Sequence, residues 1–157
     1  MKSSLLAFAA CLLAAGPVAS QVPTGAMGPL RPDQQRFFAL YKELVETDTT
    51  VTNGDCTRAA AQIAARLKAA GFADDQLVPF SVPEHPKEGG LVAVYPGTSA
   101  TLKPLLLLAH IDVVAAKRAD WVRDPFKLIE DNGYYYARGI ADDKMMAATW
   151  ADTLIRF

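Results

Sequence analysis

One stretch of this chain leaves little choice of environment: Leu105-Leu106-Leu107-Leu108-Ala109-His110-Ile111-Asp112, an apolar run that ends on two polar residues. A run without alternation predicts a strand buried on both faces, as happens where helices cover both sides of a sheet. In open α/β sheets, ligands gather at the carboxyl ends of strands, where His110 lies. Residues i and i+2 of an extended chain point the same way, so Asp112 projects beside His110. A metal-binding imidazole needs its second nitrogen held, and a carboxylate does this well. By itself, a histidine and aspartate paired for stability alone explain this tripeptide more simply.

A second polar element, Ala137-Arg138-Gly139-Ile140-Ala141-Asp142-Asp143-Lys144, falls between a predicted strand and a predicted helix. Two adjacent carboxylates at a helix start are favoured by the macrodipole, so simple capping accounts for them. Lys144 is disfavoured there and calls for an anionic partner. A carboxylate can bridge two cations, and zinc accepts oxygen and nitrogen ligands together.

The rest of the pattern is α/β with a mixed central sheet flanked by helices. Pro32 and Asp33 open a first helix whose apolar face is Phe37, Tyr41 and Leu44, with Phe38 and Val45 beside them. Asp55 caps a second helix that runs to Ala70 and stops at Gly71, with Ala60, Ile63, Leu67 and Ala70 on its apolar face. Strands are expected at 76–82, 91–95 and 105–108. Two more, at 126–130 and 134–137, flank the hairpin signal Asp131-Asn132-Gly133. A last helix starts at Asp143, with Met146, Thr149, Trp150 and Thr153 able to share a face. His85, between Pro83 and Pro86, is expected in an exposed loop.

Residues 1–20 read as a secretory signal peptide. Lys2 precedes the apolar run Leu5–Ala15, and Val18-Ala19-Ser20 ends in small residues before Gln21. The chain is therefore expected to be exported, to the periplasm or beyond. An irregular leader follows over 21–31, and the folded domain occupies 32–157. Without Cys11, only Cys56 remains, so no internal disulfide is expected. A formal net charge of −1 argues against a nucleic-acid surface, and no later stretch is apolar for long enough to span a bilayer. No Gly-x-Ser-x-Gly turn and no glycine-rich phosphate loop occurs, which excludes the usual serine-hydrolase and nucleotide-binding signatures.

Taken together, His110-Ile111-Asp112 and Arg138-Gly139-Ile140-Ala141-Asp142-Asp143-Lys144, with Trp121, Asp124-Pro125-Phe126 and Asn132-Gly133 between them, resemble a known family. It is the family of zinc-dependent exopeptidases and deacylases that includes carboxypeptidase G, carboxypeptidase S, acetylornithine deacetylase, succinyl-diaminopimelate desuccinylase and aminoacylase. The resemblance runs from about Phe37 onward and is specific over 105–146. It implies that His110 ligates one zinc, that Asp112 orients His110, and that Asp142 bridges two zincs. A cis peptide bond after Asp142 is also implied. So is a reaction in which a metal-activated water cleaves the amide bond of a short peptide or N-acyl amino acid, with a glutamate from beyond residue 157 as the base. Ala115, Ala137 and Met145 stand where the family often has proline, glycine and glycine.

The remaining ligands, the glutamate and a small domain through which a homodimer could form have no counterpart in these 157 residues. The chain is thus expected to be the N-terminal part of the catalytic domain, inactive alone. If it instead ends at Phe157 by nature, a non-catalytic or vestigial α/β binding module is the alternative.

Overall fold

The computed structural model describes residues 28–157, so the expected signal peptide and most of the leader lie outside the described residues. Helix α1 spans Pro32–Glu46 and opens as its sequence dictates. Proline occupies the first turn, where its missing N–H costs nothing, and Asp33 sits at the positive end of the helix. Helix α2 spans Cys56–Ala69; the Asp55 carboxylate accepts from the Arg58 N–H at 2.7 Å. Strands β1 (Leu77–Val82) and β2 (His85–Ala93) form one antiparallel hairpin. Strands β3 (Ile129–Asp131) and β4 (Tyr134–Tyr136) form another, and α3 spans Lys144–Arg156.

The second hairpin turns on Asn132 and Gly133, with φ of 53° and 81°. Both central residues of this tight turn are left-handed, which asparagine tolerates and glycine adopts freely.

Two apolar clusters hold these elements together. The larger joins Leu40, Tyr41, Leu44 and Val45 of α1 to Ala59 of α2, Ala137, and Ala147, Ala148 and Ala151 of α3. Small alanines on α3 let the large α1 side chains seat closely against its backbone. Ala137 is buried here, so its methyl group fills core space that glycine would leave open. The smaller cluster packs Leu67, Phe72 and Leu77, with Leu91, Leu154 and Ile155 against them.

Several sequence expectations need correction. Among the described residues there is no central mixed sheet; the strands form two separate two-stranded sheets. The run at 105–108 is not a paired strand. Its direct continuation makes one isolated parallel bridge, Thr50 to Val113. Nor is the run buried on both faces: Leu107, Ala109 and Ile111 are half-buried and Val113 is buried, whereas Leu106, Leu108, His110 and Asp112 are exposed. Ala109 and Ile111 pack on the larger cluster, and no described element covers the opposite face.

β2 starts six residues earlier than expected, because the tight turn at Pro83-Glu84 pairs Val82 with His85 directly. His85 is therefore exposed, as expected, but opens a strand rather than lying in a loop. Of the expected strand at 126–130 only Ile129 and Glu130 lie in a ladder, which continues to Asp131. On α3 the buried residues are Lys144, Ala147, Ala148, Ala151 and Asp152. The expected face of Met146, Thr149, Trp150 and Thr153 is only half-buried.

Candidate metal-binding site

His110 is set by anchors on both sides of it in the chain. Before it, the Trp150 indole N–H donates to the Leu108 carbonyl at 3.2 Å. After it, the Thr49 hydroxyl donates to the Ile111 carbonyl at 2.7 Å, and the Val113 N–H donates to the Thr49 carbonyl at 3.2 Å. The His110 backbone N–H itself donates to Asp143 Oδ2 at 3.4 Å.

The second motif is placed by a sharp bend. Gly139 has a φ of 78°, and a Cβ there would meet Val113 Cγ1 at 2.5 Å, so both the conformation and the space require glycine. The bend follows Arg138, whose guanidinium lies over the Trp121 ring at 5.1 Å and whose backbone N–H donates to the Pro125 carbonyl at 2.7 Å. The Tyr41 hydroxyl donates to the Ile140 carbonyl at 3.0 Å, tying α1 to the residue two before Asp142. The Asp142–Asp143 peptide bond is cis.

These constraints bring the three sequence-predicted residues together. His110 Nε2 lies 2.9 Å from Asp142 Oδ1. His110 Nδ1 faces Asp112, 3.2 Å from its carbonyl oxygen and 3.3 Å from Oδ1. The imidazole is thus flanked by a carboxylate on each nitrogen. Its pKa is raised above the ordinary histidine value, chiefly by the hydrogen bond to Asp142; slight burial opposes this, and Asp112 adds to it.

The three side chains are open to solvent; that of Asp142 is 90% exposed. An open groove of about 780 Å³ runs past Asp112, between the loop at 49–56 and the β1–β2 hairpin.

Two zinc ligands at ordinary bond lengths stand about 3.3 Å apart across a tetrahedral angle. The His110–Asp142 separation is close to that, so the pair fits a shared cation with a small adjustment. It is a partial set: among the described residues no three or more histidine, cysteine, aspartate or glutamate side chains are placed to hold one metal ion together. Cys56 does not join it; its sulfur lies 3.8 Å from the Thr49 carbonyl, and burial raises its thiol pKa, as for a structural residue.

Sequence reasoning missed Asp143 as the acceptor for the His110 backbone, and Thr49 as the clamp on the following residues. It flagged Lys144 as needing an anionic partner. The hydrogen-bond partner is instead a neutral group, the Thr47 carbonyl 2.7 Å from Nζ, and the Asp48 carboxylate favours the cation through its field alone.

Comparison with known proteins gives a family match over the segment that holds these residues, and relatives that match part of the chain. Residues 106–157 match the family Peptidase family M20/M25/M40. Aminoacylase-1 of Homo sapiens is 39% identical over 66 residues, covering 41% of this chain and 16% of the human protein. The N-fatty-acyl-amino acid synthase/hydrolase of Mus musculus is 46% identical over 48 residues, 31% of this chain and 10% of its own. An uncharacterized carboxypeptidase of Schizosaccharomyces pombe is 43% identical over 58 residues, 35% of this chain and 10% of its own. The matched segment thus spans less than one fifth of each of these relatives. Over the part that holds His110, Asp112 and Asp142, this chain resembles the M20 exopeptidase and deacylase family.

Proposed function

We propose that the chain contributes half of the metal site of an exported, zinc-dependent amide hydrolase acting on short peptides or N-acyl amino acids. The observation that carries this reading is the junction of two motifs 32 residues apart: Asp142 on one nitrogen of His110 and Asp112 on the other. The names of the relatives, an aminoacylase, an N-acyl-amino acid hydrolase and a carboxypeptidase, support the substrate class. Export rests on the character of residues 1–20.

His110 and Asp142 would hold the zinc, which when bound polarises a carbonyl and makes a water more acidic. Asp112 keeps the His110 ring oriented and its Nδ1 proton engaged, leaving Nε2 free to ligate. The exposed Asp142 carboxylate would also be able to hold a second cation beside the one shared with His110. Asp112, two residues from His110, lines the open groove, which would take an extended substrate. Two donors fall short of the four that zinc takes, so residues 28–157 alone would bind the metal weakly and cleave nothing.

Zinc content of the purified protein, with His110→Ala and Asp142→Ala beside it, tests the reading. Both variants should lose most of the metal, and undiminished zinc in both would refute the assignment. Chelator-sensitive hydrolysis of dipeptides or N-acyl amino acids by residues 28–157 alone would refute the claim that this part is inactive.

A further inference from the structure

Lys144 occupies a place where a lysine is costly. It is the first residue of α3, at the helix end that repels a cation, and it is 0% exposed. Burial pushes its pKa down to about 8, against the field of Asp48. Its ammonium donates to the Thr47 carbonyl at 2.7 Å.

Thr47 begins a short segment that is itself dry: Thr47, Thr49 and Thr50 are all buried. From there Thr49 reaches the other motif, with its hydroxyl on the Ile111 carbonyl and its own carbonyl accepting from Val113 N–H. Thr50 completes the junction through its parallel bridge to Val113. One buried segment is therefore gripped by the residue two after Asp142, and it grips the residues that follow His110. The two side-chain links, Lys144 to Thr47 and Thr49 to Ile111, meet within three residues.

We propose that Lys144 is a positioning residue for the His110–Asp142 pair, acting through Thr47–Thr50 to set the spacing of the two donors. The inference rests on the metal-site reading above. It concerns where the donors are held, so the lysine itself touches neither metal nor substrate.

Metal-free protein titrated with Co²⁺ tests it, because the cobalt absorption bands report ligand geometry independently of activity. Lys144→Met should bind Co²⁺ about 10- to 100-fold more weakly and shift the bands, the range seen when supports of ligands are removed. Thr49→Val, which keeps side-chain shape and breaks the same linkage one step on, should weaken binding in the same direction. Leu67→Ala, in the separate smaller cluster, should lower the melting temperature while leaving Co²⁺ affinity and bands as in the wild type.

Should Lys144→Met fail to fold by circular dichroism, Thr49→Val decides alone. Binding within twofold of wild type in the folded linkage variants, or an equal loss in Leu67→Ala, overturns the inference while leaving the metal site standing. Absence of Co²⁺ binding by the wild type, or undiminished binding by His110→Ala, overturns both.

Discussion

Replacing Tyr41 by Phe separates the core from the site with one oxygen atom. Tyr41 is 7% exposed, and its hydroxyl donates to the Ile140 carbonyl, so Phe keeps the ring in the larger cluster and removes only this bond. A hydrogen bond of this kind contributes about 1 kcal/mol, and somewhat more when the abandoned carbonyl stays partly dry. For a folded unit of this size, that lowers the melting temperature by about 3–5 °C.

The pH dependence gives a sharper check. Burial raises the Tyr41 pKa above its ordinary value of 10, with the Tyr135 ring adding to it. Below about pH 10, both folded and unfolded chains keep the phenol proton, and the advantage of Tyr over Phe is complete. Above that, the unfolded chain releases its proton while the folded chain retains it, so the wild type loses stability as pH rises through the raised pKa. Phenylalanine does not titrate, and groups that do not interact with Tyr41 cancel in the difference between the two proteins. Urea denaturation of both proteins from pH 8 to 11 should show a constant gap that closes above about pH 10. Equal midpoints at pH 8, or a gap unchanged to pH 11, would refute the reasoning.

Removing the α2 cap by Asp55→Ala should cost about 1 kcal/mol, read from the shift of the urea midpoint, since the Arg58 N–H then loses its acceptor. Gly133→Ala should cost about 1–2 kcal/mol by the same measurement, because an L-residue must then hold the left-handed φ of 81°. Asp112→Asn should lower zinc affinity by about tenfold, measured by competition with a chromophoric chelator, while leaving the melting temperature of the metal-free protein nearly unchanged. Its side chain is 72% exposed, so little folding energy depends on it.

Where a local signal matched a local cause, the sequence was readable almost to the residue. Pro32, Asp55, Gly71 and Asn132-Gly133 each act within one turn of backbone, and each stands where helix or hairpin geometry places it. The site was legible for a different reason. Each motif was ordinary alone, and only the resemblance of the two together to a metallohydrolase family implied that His110, Asp112 and Asp142 meet; the fold places the three side chains near one another.

What sequence reasoning got wrong depends on neighbours. The leucines at 105–108 carry a buried-strand pattern, yet a strand is paired and covered only by other elements, and among the described residues one face alone has a covering. The α3 face was misjudged because alanine is nearly silent in an apolar periodicity, whereas its small size is what lets α1 pack closely there. Lys144 is the clearest case. Helix rules mark it as misplaced, and only the fold supplies the reason: a carbonyl from the end of α1, 97 residues away in the chain, that makes a buried cation tolerable and ties the start of α3 to the end of α1. Violations of local preference are where tertiary structure asserts itself, and here the largest violation adjoins the candidate metal ligands.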